Sequence, residues 1–374
     1  MTSRYPDIAP AIQKLFAERG AGPVDVPVIQ PADPFLDMAG EDLRRRIFLT
    51  ENETGAVLCL RPEFTIPVCL GHIASQSGTP RRYAYLGEVF RQRREGGNEF
   101  FQAGIEDLGD ADRARADARS LADAHALLAL TLPGLSLGVT LGDQTIFEAV
   151  LAALGLPRGW RMRLARAFGS ADMLKSALAD LANPPKNGAL PEPESTLVAA
   201  GDLEGLAAHI AAGMAESGLS PSAGRTPEEI ARRLVEKSEL RSVRLSADAF
   251  AALEDFLDIN EPLDRAADAL ERFAASAGLS LGTALAAFSA RVEAIAGQGL
   301  PLESIRYDAA FGRPLDYYTG LVFEISAGDD GGRPLAGGGR YDRLLTLLGA
   351  QQPIPGVGFS VWLDRIEALR GTAR

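Results

Sequence analysis

The chain has 374 residues, a length typical of two domains or of one large domain that carries an insertion. Aspartate and glutamate total 50 against 38 lysines and arginines, so the formal net charge is −12. This acidic balance argues against a protein whose main partner is nucleic acid, although it does not exclude a local basic patch. Two cysteines and three scattered histidines exclude a disulfide framework and a Cys/His zinc cluster, so we expect neither a metal nor a cofactor.

The N-terminal residues contain acids and prolines without an apolar run, so the sequence predicts no secretory signal. One stretch, 124–141, lacks charged residues but is interrupted by Pro133 and Gly134. We expect a buried helix end, a turn and a strand there rather than a membrane span. These features predict a cytoplasmic protein without a membrane partner.

The first region, 1–157, mixes helical and strand-like runs. Residues 58–63 and 83–88 have the composition of strands, and 101–106 alternate apolar and polar side chains as a strand does. The basic loop after residue 91 predicts a hairpin between the last two of these strands.

Three groups in this region could carry chemistry. In an extended strand Arg61, Glu63 and Thr65 would project to one side, where Glu63 could bind an ammonium group. Arg91 could bind a carboxylate or a phosphate, because a guanidinium contacts either one bidentately. Glu106 could accept an imidazole N–H or an ammonium. A surface strand and a solvated hairpin tip are the structural alternatives.

The middle region, 158–244, is rich in alanine and leucine and helical in period, and it contains no chemical motif. Thr226, Pro227 and Glu229 predict a helix start with a capping box. We therefore expect a helical insertion between two parts of a core, 1–157 and 245–374.

The last region contains a predicted strand at 321–325 with a turn at 329–332, a strand at 356–362 and a final helix from about residue 363. Strands near both chain ends with helices between them predict an α+β fold. Arg313, Asp316 and two tyrosines lie beside the first of these strands. A glycine run before Tyr341 and the spaced glycines of 356–362 would let a group approach the backbone closely. The alternatives are a tyrosine pair packed at a core edge for the first feature and close packing of a helix for the glycines.

Together, and in this order, the motifs resemble the catalytic domain of histidyl-tRNA synthetase. They are Leu-Arg-Pro-Glu-x-Thr at 60–65, Phe-Arg at 90–91, Gln-x-Gly-x-Glu at 102–106, Arg-x-Leu-Asp-Tyr-Tyr at 313–318, Gly-Gly-Arg-Tyr-Asp at 338–342, Gly-x-Gly-Phe at 356–359 and Asp-Arg at 364–365. The resemblance implies a class II aminoacyl-tRNA synthetase-like antiparallel sheet flanked by helices, usually dimeric.

The resemblance also implies roles for individual residues. In the family, the positions of Glu63 and Gln102 hold the α-amino group of histidine, and those of Glu106 and Tyr318 read its imidazole. The implied histidine site comprises Glu63, Thr65, Gln102, Glu106, Arg313, Tyr318 and Tyr341. Arg91 and Arg365 match arginines that bind ATP.

The departures from the family concern ATP and tRNA. Only nine residues follow Arg365, so we expect no anticodon-binding domain. Phe64, Pro314 and Trp362 replace family glycines, and an indole at 362 would fill the volume where the family binds adenosine. Glu95 replaces a family proline.

This pattern resembles one group of synthetase paralogues, the regulatory subunits of ATP phosphoribosyltransferase. The resemblance implies a non-catalytic protein in the first step of histidine biosynthesis, with histidine as its feedback effector. It also implies a hetero-octamer with the short catalytic subunit, a self-dimer and no tRNA partner. The alternatives are a histidyl-tRNA synthetase, a truncated paralogue that adenylates histidine, and a binding protein for another amino acid or an unrelated partner.

Overall fold

A computed structural model describes residues 6–38, 40–94, 97–183, 190–217, 226–242, 245–315, 317–328 and 332–372. Glu95, Asp316 and most of the predicted turn at 329–332 lie outside these residues. Within the described residues no helix is long and apolar enough to cross a membrane.

Twelve strands occur within the described residues. They are β1 (Gly22–Pro23), β2 (Ile29–Pro31), β3 (Leu49–Glu51), β4 (Val57–Leu60), β5 (Arg81–Phe90), β6 (Glu99–Leu108), β7 (Leu137–Asp143), β8 (Asn260–Pro262), β9 (Ile305–Asp308), β10 (Leu321–Ala327), β11 (Pro334–Arg340) and β12 (Gly356–Trp362).

The same residues form sixteen α-helices and one short 3-10 helix, Leu302–Ser304. The α-helices are α1 (Ala9–Glu18), α2 (Asp33–Met38), α3 (Glu41–Arg44), α4 (Thr65–Ala74), α5 (Arg113–Thr131), α6 (Gln144–Ala153), α7 (Arg158–Ala167), α8 (Ala171–Ala182), α9 (Glu194–Ala199), α10 (Leu203–Glu216), α11 (Pro227–Ser242), α12 (Ala247–Leu257), α13 (Leu263–Ser276), α14 (Gly282–Gly297), α15 (Leu344–Leu347) and α16 (Leu363–Thr372).

A nine-stranded sheet organises the described chain, in the order β1-β5-β6-β12-β11-β10-β7-β9-β8. Its pairs are antiparallel except β1 with β5 and β7 with β9. The predicted α+β class is confirmed, as are the β5–β6 hairpin, the strands at 321–325 and 356–362, and the final helix. The uncharged stretch 124–141 is the end of α5, a turn and the start of β7, as expected.

The prediction that Arg61, Glu63 and Thr65 share an extended strand is wrong. Strand β4 ends at Leu60, and Thr65 begins α4. The physical reason is that the carboxylate of Glu63 accepts hydrogen bonds from the backbone N–H groups of Thr65 (2.6 Å) and Ile66 (2.9 Å). Such bonds satisfy the free donors of a helix start and favour helix over strand.

The glycine run belongs to strand β11, at the centre of the sheet, and the helix that follows it, α15, is a single turn. Alternation along the strands separates two faces of this sheet. On one face Ala103, Phe323 and Phe359 join the main apolar core, which contains α5 and α14. The other face presents Gln102 and Glu324, and it carries the candidate site.

The described residues of the middle region form helices α7 to α11. The capping box is confirmed, because Thr226 N–H donates to Glu229 (3.2 Å) and Glu229 N–H donates to the hydroxyl of Thr226 (3.3 Å). Trp160 and Phe168 belong to the main core, where the ring of Phe168 stacks on that of Phe147 of α6 with 4.4 Å between the centroids. The first helices of the middle region therefore pack on the sheet domain, while the domain boundaries at 157 and 245 stay a prediction.

Candidate functional site

A cavity of about 250 Å³ lies on the second face of the sheet, and we call it the central pocket. Eight of the nine residues implied by the sequence line it, namely Glu63, Thr65, Arg91, Gln102, Arg313, Tyr318, Tyr341 and Arg365. They come from positions up to three hundred residues apart in the chain. Glu106 does not line the cavity and lies directly behind Thr65 and Tyr341.

Glu63 lies at the entrance of α4 and is 5% exposed. Burial raises its pKa, and the N–H groups of Ile66 and Thr65 and the charge of Arg91 oppose that rise. The Arg91 Nε–H donates to the carbonyl of Pro62 at 2.6 Å. An acid fixed in this way beside a cavity can accept further hydrogen bonds from an ammonium group, since a carboxylate offers about four lone-pair sites.

Glu106 is fully buried on β6. The hydroxyl of Thr65 donates to its Oε1 at 2.7 Å, and the hydroxyl of Tyr341 donates to its Oε2. Burial raises the pKa of Glu106 to about 8, although both hydroxyl groups stabilise the charged form. Glu106 thus orients two residues of the pocket wall.

Gln102 is 1% exposed and also belongs to β6. Its side-chain oxygen is buried and has no hydrogen-bond partner among the described residues. A buried acceptor without a partner costs free energy, about 1–3 kcal/mol for a neutral group. Since Gln102 lines the cavity, a bound donor such as an ammonium is the natural partner for this oxygen.

Arg313 extends across the pocket from the loop after β9. Its guanidinium donates to the carboxylate of Glu324 (3.1 Å) and to the hydroxyl of Tyr318 (3.1 Å). Pro314 therefore does not turn this guanidinium away from the cavity. Sequence reasoning missed Glu324, whose signal is that it is the one charged residue in the apolar strand 321–325.

The glycines of β11 and β12 make room for the site. A Cβ atom at position 358 would lie 1.8 Å from Glu106 Oε2, and one at 356 would lie 2.3 Å from the Tyr341 ring. At position 337 a Cβ atom would lie 2.5 Å from the guanidinium carbon of Arg313. The groups that approach this backbone closely are therefore the pocket's own side chains.

Trp362 ends strand β12 and forms one wall of the pocket. The guanidinium of Arg365 stacks on its ring at 4.4 Å and donates to the carbonyl of Pro334. The guanidinium of Arg313 lies 5.8 Å from the same ring on the cavity side. Phe64 is outside the pocket, since it is buried and stacks on Tyr85 at 4.3 Å.

Comparison with known proteins identifies the family. A profile described as histidyl-tRNA synthetase matches residues 2–223 and 228–366. The ATP phosphoribosyltransferase regulatory subunit of Mesorhizobium japonicum is 76% identical over 373 residues, which is 100% of both chains. The protein of the same name from Chelativorans sp. is 65% identical over 372 residues, or 99% of both chains.

Solved structures share the fold at low identity. An ATP phosphoribosyltransferase regulatory subunit/histidyl-tRNA synthetase from Bacillus halodurans has a TM-score of 0.63 and 21% identity, covering 98% of this chain and 80% of that one. A histidyl-tRNA synthetase from Nostoc has a TM-score of 0.65 and 17% identity, covering 98% of this chain and 71% of that one. The fold is thus class II synthetase-like. Because relatives of this name match it over nearly the full length of both chains, the chain belongs to the family of ATP phosphoribosyltransferase regulatory subunits.

Proposed function

We propose that this protein is the non-catalytic regulatory subunit of an ATP phosphoribosyltransferase and that it binds histidine in the central pocket. Through that site it confers feedback inhibition on a short catalytic subunit, whose activity requires it. The observation that carries the proposal is the central pocket itself, in which groups suited to histidine remain while Trp362 and Arg365 fill the adjoining wall.

Histidine matches the pocket group by group. Its ammonium fits between the carboxylate of Glu63 and the unpartnered oxygen of Gln102. Its imidazole needs a donor and an acceptor, which the phenols of Tyr318 and Tyr341 can provide, the latter held by Glu106. Its carboxylate can pair with the guanidinium of Arg313.

The absence of catalysis is proposed from the nucleotide side of the pocket. In the synthetases that the chain resembles, this side holds ATP. Here the indole of Trp362 is 7% exposed, and Arg365 stacks on it and bonds a backbone carbonyl. Arg91 likewise donates to a carbonyl. Each of these arginines thus already donates to a backbone carbonyl of the protein, which leaves fewer donors for a phosphate.

The wider organisation is also a proposal. The core comprises 1–157 and 245–374, the helical insertion comprises 158–244, and the protein self-dimerises and joins the short catalytic subunit in a hetero-octamer of four and four. Regulation would follow from linkage, because histidine binding and subunit docking share a coupling free energy, typically about 1–3 kcal/mol.

The test is co-expression with a short-form catalytic subunit, co-purification, and assay of phosphoribosyl transfer with and without histidine. We expect one complex, activity that depends on this protein, and inhibition by histidine that is lost in Glu63→Gln. Failure to bind or to activate the catalytic subunit would refute the proposal. Histidine-dependent exchange of pyrophosphate into ATP by the isolated protein would instead establish the alternative, a synthetase-like adenylating enzyme.

A further inference from the structure

A second cleft adjoins the central pocket between α7 and the sheet domain, and we call it the arginine cleft. Its volume is about 510 Å³. One wall is a face of α7 and the turn after it, and the other consists of parts of α6 and α15. Its floor is the loop of Arg313, Leu315 and Tyr317, which also lines the central pocket.

Four arginines line this cleft besides Arg313, whose guanidinium faces Glu324 in the central pocket. Arg158, Arg161 and Arg166 occupy one face of α7, and Arg343 comes from the opposite wall. The single acid of the lining is Glu148, 4.0 Å from Arg343. Such an excess of positive charge is unexpected in a chain of net charge −12.

The arginines of α7 differ according to the face they occupy. Arg163, on the other side, pairs with Asp180 of α8 and lies 5.0 Å from the ring of Trp160. By contrast, no carboxylate of the described chain lies within ion-pair distance of Arg158, Arg161 or Arg166. The Nε atom of Arg161 is buried and has no hydrogen-bond partner in the part of the chain that the structure describes. A buried donor of this kind is costly unless a ligand or water satisfies it.

We propose that the arginine cleft binds a phosphorylated small molecule of nucleotide size. Guanidinium groups are the side chains best suited to phosphate, because they contact two of its oxygens at once. The first and last of the three α7 arginines are eight positions apart, or about 12 Å along the helix, a distance suited to a nucleotide rather than to a single carboxylate. The volume falls in the range of small-molecule sites, roughly 300–1,000 Å³, and Met162, Leu315 and Leu347 supply apolar wall.

Nucleic acid is the less suitable occupant. Its affinity comes from many phosphate contacts spread along a basic surface. Here the cleft arginines without a carboxylate partner among the described residues all lie on one helix of ten residues, within an acidic chain. This proposal does not depend on histidine binding, so the phosphate site and the histidine site can each be refuted without the other.

The test is titration of the full-length protein with sodium pyrophosphate and with ADP, by calorimetry at constant ionic strength. We expect saturable binding to the wild type and an affinity at least tenfold lower in the Arg158→Glu/Arg166→Glu variant. Both residues are exposed, so the variant should fold. The matched control is Arg272→Glu on the exposed side of α13, which should bind as the wild type does.

Arg161→Lys provides a second variant, because it keeps the charge and removes the Nε–H donor. We expect it to weaken binding several-fold. The proposal is overturned if the wild type binds neither ligand saturably, or if both cleft variants bind as tightly as the control. The proposal would also be overturned, in favour of a nucleic-acid surface, by a protein that binds an RNA hairpin but binds neither pyrophosphate nor ADP.

Discussion

Replacing Gln102 by methionine tests whether the pocket is built for a ligand with an ammonium group. The side-chain oxygen of Gln102 is buried and accepts no hydrogen bond from any residue that the structure describes. Methionine has a similar length and no oxygen, so Gln102→Met removes a desolvated acceptor and breaks no internal bond of that atom. The free protein should therefore be as stable as the wild type or more stable, by up to about 1–3 kcal/mol.

Histidine binding should respond in the opposite direction. A hydrogen bond to a charged group contributes about 1.5–3 kcal/mol. Its loss corresponds to a Kd for histidine that is raised roughly 10- to 150-fold, since about 1.4 kcal/mol is a factor of ten. A residue that only held the fold together would lower the stability of the free protein when replaced. The opposite signs of the two effects thus separate a binding role from a structural one.

The assays are thermal unfolding without ligand and calorimetric titration with histidine. Gln298→Met, on the exposed end of α14, is the matched control and should change neither quantity. A Kd within twofold of the wild type, or a clear fall in the melting temperature of the free variant, would refute the reasoning. A wild type that does not bind histidine would refute the proposed site as a whole.

Three further changes address the structure around the pocket. Burial raises the pKa of Glu106 from 4.5 to about 8, so between these pH values the folded state holds a proton that the unfolded state releases. The free energy of unfolding should therefore fall as the pH rises from about 4.5 to 8. In urea titrations Glu106→Gln should flatten this decline, and an unchanged pH dependence would contradict the buried, protonated Glu106. Arg291→Met removes the ion-pair partner of buried Asp143 and one of the two arginines that pair with buried Asp117, so it should destabilise the protein by about 3–5 kcal/mol; a loss below 1 kcal/mol would disprove the role of these ion pairs. Gly169→Ala places a Cβ atom 2.2 Å from the carbonyl oxygen of Arg313, so it should weaken histidine binding several-fold in calorimetry, and an unaltered Kd would show that the loop can yield.

Strands β5, β6, β10 and β12 of the sheet could be predicted because their cause is local. Residues 101–106 alternate because one face of β6 packs on the main core and the other faces the pocket side of the sheet. The hairpin forms because only a short loop connects β5 and β6. The segment 61–65 could not be predicted in the same way. There the backbone conformation depends on where the side chain of Glu63 forms its hydrogen bonds, and residue composition alone does not reveal that.

The motifs predicted most of the residues that line the pocket, but they did not predict that Glu106 lies behind its wall. Glu106 lies behind the wall because Gly358 leaves space for its carboxylate, so its position depends on a strand 250 residues later in the chain. Glu324 escaped notice because one acid in an apolar strand is also typical of a solvent-facing position. Its role became evident only from the ion pair with Arg313.

The loop that carries Arg313 is held from two sides, and this links the two clefts physically. A Cβ atom at Gly312 would lie 2.2 Å from the carbonyl oxygen of Phe168, and one at Gly169 would lie equally close to that of Arg313. Contacts between backbones of this kind leave no flexible side chain that could absorb a displacement, since packed interiors transmit strain. The position of the Arg313 guanidinium therefore depends on the helices of the middle region as well as on the sheet. Because the same loop lines both clefts, an occupant of either one would contact this segment.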